Sequence, residues 1–370
     1  MQRWRSSRWC FVSLVVNLSR MACTSRMEEC ERVVDVAVVG GGLSGLTVVH
    51  RLGSKCSWVL VEGSSRLGGR LKNSESGVDL GGAWIWPEFG QRKIAELLRE
   101  LNIGTFRQPD DESSTRIAGG AYKAIEELAK KLPQDRIVMN FDVTSCAKEK
   151  REQGEDRELV KISSSSGQSV LARRVVFAAP PRILISRVQF DPPLSNSRRR
   201  AMEECRTWMA GVTKVALEYD KRVWSLGRAC NTGLRGGPAF QVYDGSTHGD
   251  KLIALTFFAL APRDLKEEEL ARLCVEQLRG HWKMMGLQQD SSALQKFKRV
   301  TVQRWPEEEL ISDEIDPQQI HPHPTPFPPL ARSDWDGKLL FASTEADLES
   351  PGVMEGAVGA ALRVCKELGY

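Results

Sequence analysis

The sequence predicts an α/β protein in which a Rossmann-type dinucleotide-binding domain is interleaved with an α+β domain of mixed sheet. Three observations carry that expectation. A β-branched run, VVDVAVV at Val33–Val39, leads directly into the glycine-spaced turn Gly40-x-Gly42-x-x-Gly45. A second strand-like stretch, CSWVLVE at Cys56–Glu62, follows after the length of one helix and ends on a carboxylate. Near the C-terminus a short apolar strand and another glycine-spaced helix opening recur in FASTEADLESPGVMEGA, Phe341–Ala357.

Each element follows from its patterning. Val33–Val39 is apolar at nearly every position, as a buried parallel strand requires. A helix over about Leu43–Leu52 joins it to the strand Cys56–Glu62, completing a βαβ unit. A glycine- and arginine-rich loop then leads to DLGGAWIWP, Asp79–Pro87. Apolar residues at helical spacing mark Arg92–Leu101 and Ala121–Leu132. Strands are expected at Ile137–Val143, Leu159–Ser163 and Val170–Ala178, the last stopped by Pro180 and Pro181. From Asn196 a charged helix leads into alternating strands at Val212–Tyr219, Phe240–Tyr243 and Leu252–Leu260. A long helix, Leu265–Met284, precedes a strand at Phe297–Trp305. HPHPTPFPPL, His321–Leu330, reads as an extended connection, and Leu339–Ala342 as a short parallel strand returning the chain to the first sheet. The expected division is an N-terminal extension at 1–30, a discontinuous dinucleotide-binding domain at 31–87, 114–188 and 333–370, and a substrate domain at 88–113 and 189–332.

Composition narrows the functional classes. Apolar residues make up 41% of the 370 residues, ample for a large core. The net charge of +4 is smaller than the charge of Arg3, Arg5, Arg8, Arg20 and Arg26, so the chain beyond this acid-free start is near neutral. A nucleic-acid partner is therefore not expected. Trp9–Leu18 is too short to span a bilayer, so no transmembrane segment is expected either. The basic start resembles a secretory signal and equally an organelle transit peptide, whereas translation from Met21 or Met27 would leave a soluble cytoplasmic chain. The nine cysteines include no C-x-x-C pair, which points away from a zinc site or disulfide framework and towards a reducing compartment.

The candidate chemistry starts at the first glycine turn. Gly40 permits the turn, Gly42 lets a pyrophosphate approach the backbone, and Gly45 lets the helix pack on the strand. Leu43 and Ser44 open that helix, whose N-terminus offers free N–H groups and partial positive charge. Glu62, 22 residues after Gly40, stands where a carboxylate accepts ribose hydroxyls. In RLGGRLKN, Gly68 and Gly69 allow a further close backbone approach, and Arg70 offers a planar guanidinium to the same diphosphate. Asp79-x-Gly81-Gly82-x-Trp84 adds a third close-approach element.

In order, VVGGGLSGL, E-x-x-x-RLGGR, DLGGAW and FASTE…GVMEGA resemble the flavin-containing amine oxidases, over about Val34 to Leu368. That resemblance implies an FAD-dependent oxidoreductase that passes hydride from a primary or secondary amine to flavin, with dioxygen reoxidising it and hydrogen peroxide released. It implies that the first turn holds the ADP half of FAD and that a helix starting near Pro351 points its N-terminus at the flavin ring. Position by position, it places Val143 at adenine, Ala178–Pro181 near the dinucleotide, and Glu345 at the ribityl chain. It places Gly82, Ala83, Trp84 and Ile85 beside the ring, and Gly352, Val353 and Met354 against the isoalloxazine. Lys214 matches the family lysine that holds a water near the reactive ring nitrogen, although on patterning alone it reads as a solvated strand lysine.

Departures from the family pattern are specific. Ser343 replaces a glycine, and Val353 stands where many members have a tyrosine of an aromatic cage. With four tyrosines in the chain a two-tyrosine cage is not expected, and Trp84, Trp86 or Trp305 are the alternative walls. The Arg107–Ile117 segment is much shorter than in typical members, which suggests a more open amine pocket. Some members attach flavin through a cysteine before the last strand, where this chain has none between Trp305 and Phe341. Non-covalent FAD is therefore expected, with His321 and His323 as the positions to check. Two other readings remain open: a flavin enzyme acting on carbon–carbon bonds (desaturase or porphyrinogen oxidase type), and a flavin-binding scaffold with impaired catalysis.

Overall fold

The computed structural model describes residues 33–109, 111–150, 158–227, 229–315 and 322–370. The N-terminal extension and His321 lie outside the described residues. Among the described residues no helix is long and apolar enough to cross a membrane.

The β-branched run forms β1 (Val34–Val39), α1 is Leu43–Leu52 and β2 is Trp58–Val61. β1 pairs in parallel with β2 (Val38 opposite Leu60) and, on its other side, with the strand Ser169–Phe177 (Val38 opposite Val176). Leu339–Phe341 returns in parallel to Ser169–Phe177, with Leu340 opposite Val176. Ile137–Val138 extends the sheet beyond β2, while Val143–Lys150 and Glu158–Ser164 form an antiparallel run leading into Ser169–Phe177. Gln189–Asp191 closes the far edge.

Alternation along β1 explains why the run is apolar from Val36 onward. Val36 and Val38 face a core built with α1 and the helices Arg92–Glu100, Lys123–Lys130 and Met354–Leu368. Ala37 and Val39 face a second core with Val160, Ile162, Phe177 and Phe341. With both faces covered from Val36 onward, those positions are apolar, while Asp35 sits at the partly exposed start of the strand.

The second sheet is antiparallel throughout, in the order Thr232–Gly233, Ala239–Asp244, Ile253–Ala259, Thr213–Tyr219, Arg299–Arg304. Val215 and Leu217 pack against the amphipathic helix Glu267–Met284. Ala216, on the opposite face, packs with Val78 and Leu80. Lys214 shares that opposite face by the two-residue period of a strand.

Two local expectations are corrected, at Ile137–Val143 and at the start of the C-terminal helix, and two are filled in. Ile137–Val143 is not one strand, because Asn140 adopts φ +57° and breaks it between Val138 and Val143. Pro180 and Pro181 end a strand but also start the helix Pro181–Arg187, with Pro181 at its first turn, where the missing N–H costs nothing. The short Arg107–Ile117 segment lies in a hairpin, Thr105–Gln108 with Asp111–Ile117, which pairs with Trp84–Ile85. The C-terminal helix begins at Met354 and not near Pro351. Gly352 at φ +82° interrupts helical geometry there, and Ser350 N–H is taken by Asp347 Oδ1 at 2.6 Å.

Candidate active site

A cavity of about 380 Å³ runs from the first glycine turn to the Lys214 face of the second sheet. Its end at the first glycine turn is built from glycines with different jobs. Gly40 sits at φ +106°, and a Cβ at Gly45 would stand 1.9 Å from the Gly40 carbonyl oxygen, so α1 packs directly on the turn. Gly45 therefore shapes the groove without lining it. At Gly42 a Cβ would meet nothing nearer than Gly68 O at 3.9 Å, and at Gly69 nothing nearer than Gly42 Cα at 3.6 Å. The two glycine turns thus lie against each other with room for a Cβ at contact distance, tied by Gly68 N–H to Gly41 O at 2.8 Å. Leu43 and Ser44 line the same space. Ser44 Oγ also donates to the Ala342 carbonyl, joining the first turn to the C-terminal one.

Glu62 is buried at the end of β2, where Oε2 accepts from Gly41 N–H at 2.6 Å and Oε1 from Ser64 N–H at 2.8 Å. Each oxygen keeps a further acceptor site for a hydroxyl. Arg70 is not a solvated loop arginine: it makes a two-pronged pair with Glu345, at 2.6 and 3.2 Å. Glu345 is fully buried behind it and does not line the cavity; its contact is with the Arg70 guanidinium. Val143, Ala178, Ala179 and Pro180 also line the cavity, with Ala178 beside Gly40.

At the other end Gly82, Ala83 and Trp84 line the cavity, facing Gly352, Val353 and Met354 at the start of the C-terminal helix. Ile85 does not reach it. Neighbouring strand residues point to opposite faces, and Ile85 is buried in the core beside α1. The indole N–H groups of Trp84, Trp86 and Trp305 are held by Gln108 Oε1 (2.9 Å), Ser114 Oγ (3.0 Å) and Leu80 O (2.9 Å). All three indoles line the cavity.

Lys214 is 3% exposed and lines this end. Its Nζ donates to Gly81 O at 2.6 Å and Tyr243 Oη at 3.0 Å, with Asp79 O at 3.4 Å. These oxygens are uncharged. The rings of Phe258, Tyr243 and Trp84 surround the ammonium, their centroids 4.8, 5.3 and 5.8 Å away. Such contacts strengthen as water is removed. The loop that supplies the two carbonyls is fixed by a buried ion pair, Asp79 with Arg116 at 2.9 Å. Arg116 comes from the short hairpin and also donates to Ser246 O at 2.7 Å.

Patterning alone did not single out Tyr243, Phe258, Trp208 or Gln108. The usable signal was the alternation of the two neighbouring strands, which puts Phe258 directly opposite Lys214.

Residues 106–369 match the family described as flavin containing amine oxidoreductase. Residues 38–101 match the NAD(P)-binding Rossmann-like domain. A probable flavin-containing monoamine oxidase A of Dictyostelium discoideum is 27% identical over 265 residues, 68% of this chain and 53% of that protein. The chain thus spans about half the length of that relative. The flavin-containing amine oxidase A of Equus caballus is 22% identical over 94% of this chain and 87% of its own. Among solved structures, wild-type putrescine oxidase bound to putrescine superposes with a TM-score of 0.67 at 17% identity, covering 90% of this chain and 98% of that one. Cyclohexylamine oxidase from Brevibacterium oxydans gives 0.69 at 16% identity, covering 92% and 100%. These structural likenesses are of fold. The sequence match runs through the whole second sheet and the C-terminal helix, and on it the chain belongs to the flavin-containing amine oxidoreductase family.

Proposed function

We propose that this chain is an FAD-dependent amine oxidase, taking hydride from the carbon beside an amine nitrogen and releasing hydrogen peroxide. The observation that carries the reading is the continuity of one cavity, from the Gly42 and Gly69 turns to the Lys214 wall. When bound, FAD supplies the two-electron acceptor and its reoxidation by dioxygen. The chain's own residues supply position and environment. The N-terminus of α1 and Arg70 would hold the diphosphate, Glu62 the ribose, and Val143 the adenine side. Gly82, Ala83, Trp84, Gly352, Val353 and Met354 would flank the ring, with Trp84, Trp305 and Phe258 excluding water. Lys214, held at the apolar end, would place a fixed positive charge and a donor beside the reacting atoms.

Attachment is proposed to be non-covalent. No cysteine, histidine or tyrosine lines the cavity among the described residues. His323 packs edge-on against Trp208, 4.7 Å between centroids, and is exposed. The domain division given above is likewise a proposal: the first sheet and its helices hold the nucleotide, and the second sheet faces the amine.

Anaerobic bleaching of the bound flavin by a panel of amines, with peroxide release on readmitting air, tests the reading. Bleaching by at least one amine is expected. Yellow protein inert to every amine would replace it with the flavin-binding scaffold, and bleaching only by carbon–carbon donors would replace it with the desaturase type.

A further inference from the structure

Lys214 does not hold its place alone. We propose that Tyr243 is a positioning residue for Lys214, its hydroxyl fixing where the ammonium stands in the cavity wall. Tyr243 is fully buried, and among the described residues Lys214 is the only hydrogen-bond partner of its hydroxyl. A buried hydroxyl is costly unless bonded, and phenylalanine would fill the same space without that cost. The ring meets Trp84 edge-on at 4.5 Å and Phe258 at 5.5 Å, so packing alone does not require the oxygen.

The oxygen is also rigidly placed. The next residue, Asp244, is fully buried and receives Arg222 Nε at 2.9 Å, Trp224 Nε1 at 3.1 Å and Ser246 N–H at 2.8 Å. Its carbonyl accepts from Gln108 Nε2 at 2.9 Å, and Gln108 Oε1 in turn holds Trp84. The backbone carrying Tyr243 and the indole packed on its ring are therefore locked by one network. Lys214 is a flexible side chain whose tip is located by its acceptors. With Tyr243 it has two firm ones, Gly81 O and the phenol; without it, one firm carbonyl and a distant second remain.

This inference rests on Lys214 standing beside the redox centre, and the experiment separates the two claims. Lys214→Met, Tyr243→Phe and the double variant are purified with FAD. FAD content, thermal midpoint, the visible spectrum of bound flavin without amine, and the two half-reactions by stopped flow are compared. FAD content is expected to stay near wild type in all three, and the thermal midpoint in Tyr243→Phe; Lys214→Met strands the buried phenol and should melt lower, a loss the double variant relieves. Tyr243→Phe should slow the half-reaction that Lys214→Met slows, by roughly tenfold. It should also shift the flavin spectrum in the same sense as Lys214→Met, which a purely packing role would not do. The double variant should be no slower than Lys214→Met, because both act through one ammonium. Wild-type rates and spectrum in Tyr243→Phe, with Lys214→Met slow, overturn the positioning role and leave Lys214 standing. Additive losses in the double variant, or loss of FAD in Tyr243→Phe, overturn it as well. Wild-type behaviour of Lys214→Met sinks both claims.

Discussion

At Gly42 a single side chain decides whether the groove stays open. The residue has φ −77° and ψ −177°, a conformation any residue adopts, and its missing Cβ faces space bounded by Gly68 O at 3.9 Å. Gly42→Val should therefore fold, with stability changed by no more than about 1 kcal/mol at this helix start, and emerge colourless. Full flavin content in that variant would remove the nucleotide-site assignment. Lys214 makes the opposite prediction: Lys214→Met keeps length and removes charge, so the protein should stay yellow. Reduction by amine or reoxidation by dioxygen should slow by at least roughly tenfold, the cautious side of what a positioned acid–base group contributes. Wild-type rates in both steps would make Lys214 a structural lysine. Gly42 was readable from spacing. The burial of Lys214 was not, because the face it occupies is covered by Val78, Leu80 and Trp84, whose approach no local pattern encodes.

Elements were legible where local signals agree with tertiary ones. α1 begins and ends where Gly42 and Gly53 bound it, and it is buried along its length except at His50 and Arg51. The hairpin Thr105–Ile117 was not legible, since DESSTRI carries no apolar alternation and owes its pairing to Trp84–Ile85, brought from elsewhere in the chain. β1 and β2 are joined at their starts by a reciprocal bond. Asp35 Oδ2 accepts from Ser57 N–H at 2.8 Å and Ser57 Oγ at 2.6 Å, while Asp35 N–H donates to Ser57 Oγ at 2.9 Å. The Ser57 hydroxyl is the main cause holding the Asp35 carboxyl below its ordinary value; partial burial opposes it, and the Ser57 N–H and Arg173 assist. A depressed carboxylate stabilises the fold above its unfolded pKa, about 3.9, and that contribution fades as pH falls through the lower folded value. Asp35→Ala should cost about 1–2 kcal/mol at neutral pH. In urea titrations the gap to wild type should close on acidification below about pH 4; a pH-independent gap would show that the carboxylate charge plays no part.

Across the whole molecule, the site exists only where distant segments converge: the first glycine turn, the Gly68–Arg70 loop, the Lys214 strand and the C-terminal helix all wall one cavity. Arg116 is the tie that keeps the central loop in place, bonding Asp79 on one side and Ser246 on the other while 1% exposed. Replacing it with methionine leaves a buried carboxylate unpaired, which typically costs about 3–5 kcal/mol. The same convergence makes flavin a ligand of the folded state alone. Free FAD at about 100 times its dissociation constant should therefore raise the unfolding free energy by about 2.7 kcal/mol. Arg116→Met, destabilised but with its glycine turns intact, should regain a similar increment when FAD is added. Gly42→Val should gain none, because its groove is filled. Thermal melts of the three proteins with and without FAD read this directly. An equal FAD-dependent rise in Gly42→Val would show that flavin sits elsewhere, and no rise in Arg116→Met would show that the Asp79 loop shapes the nucleotide end as well as the Lys214 end.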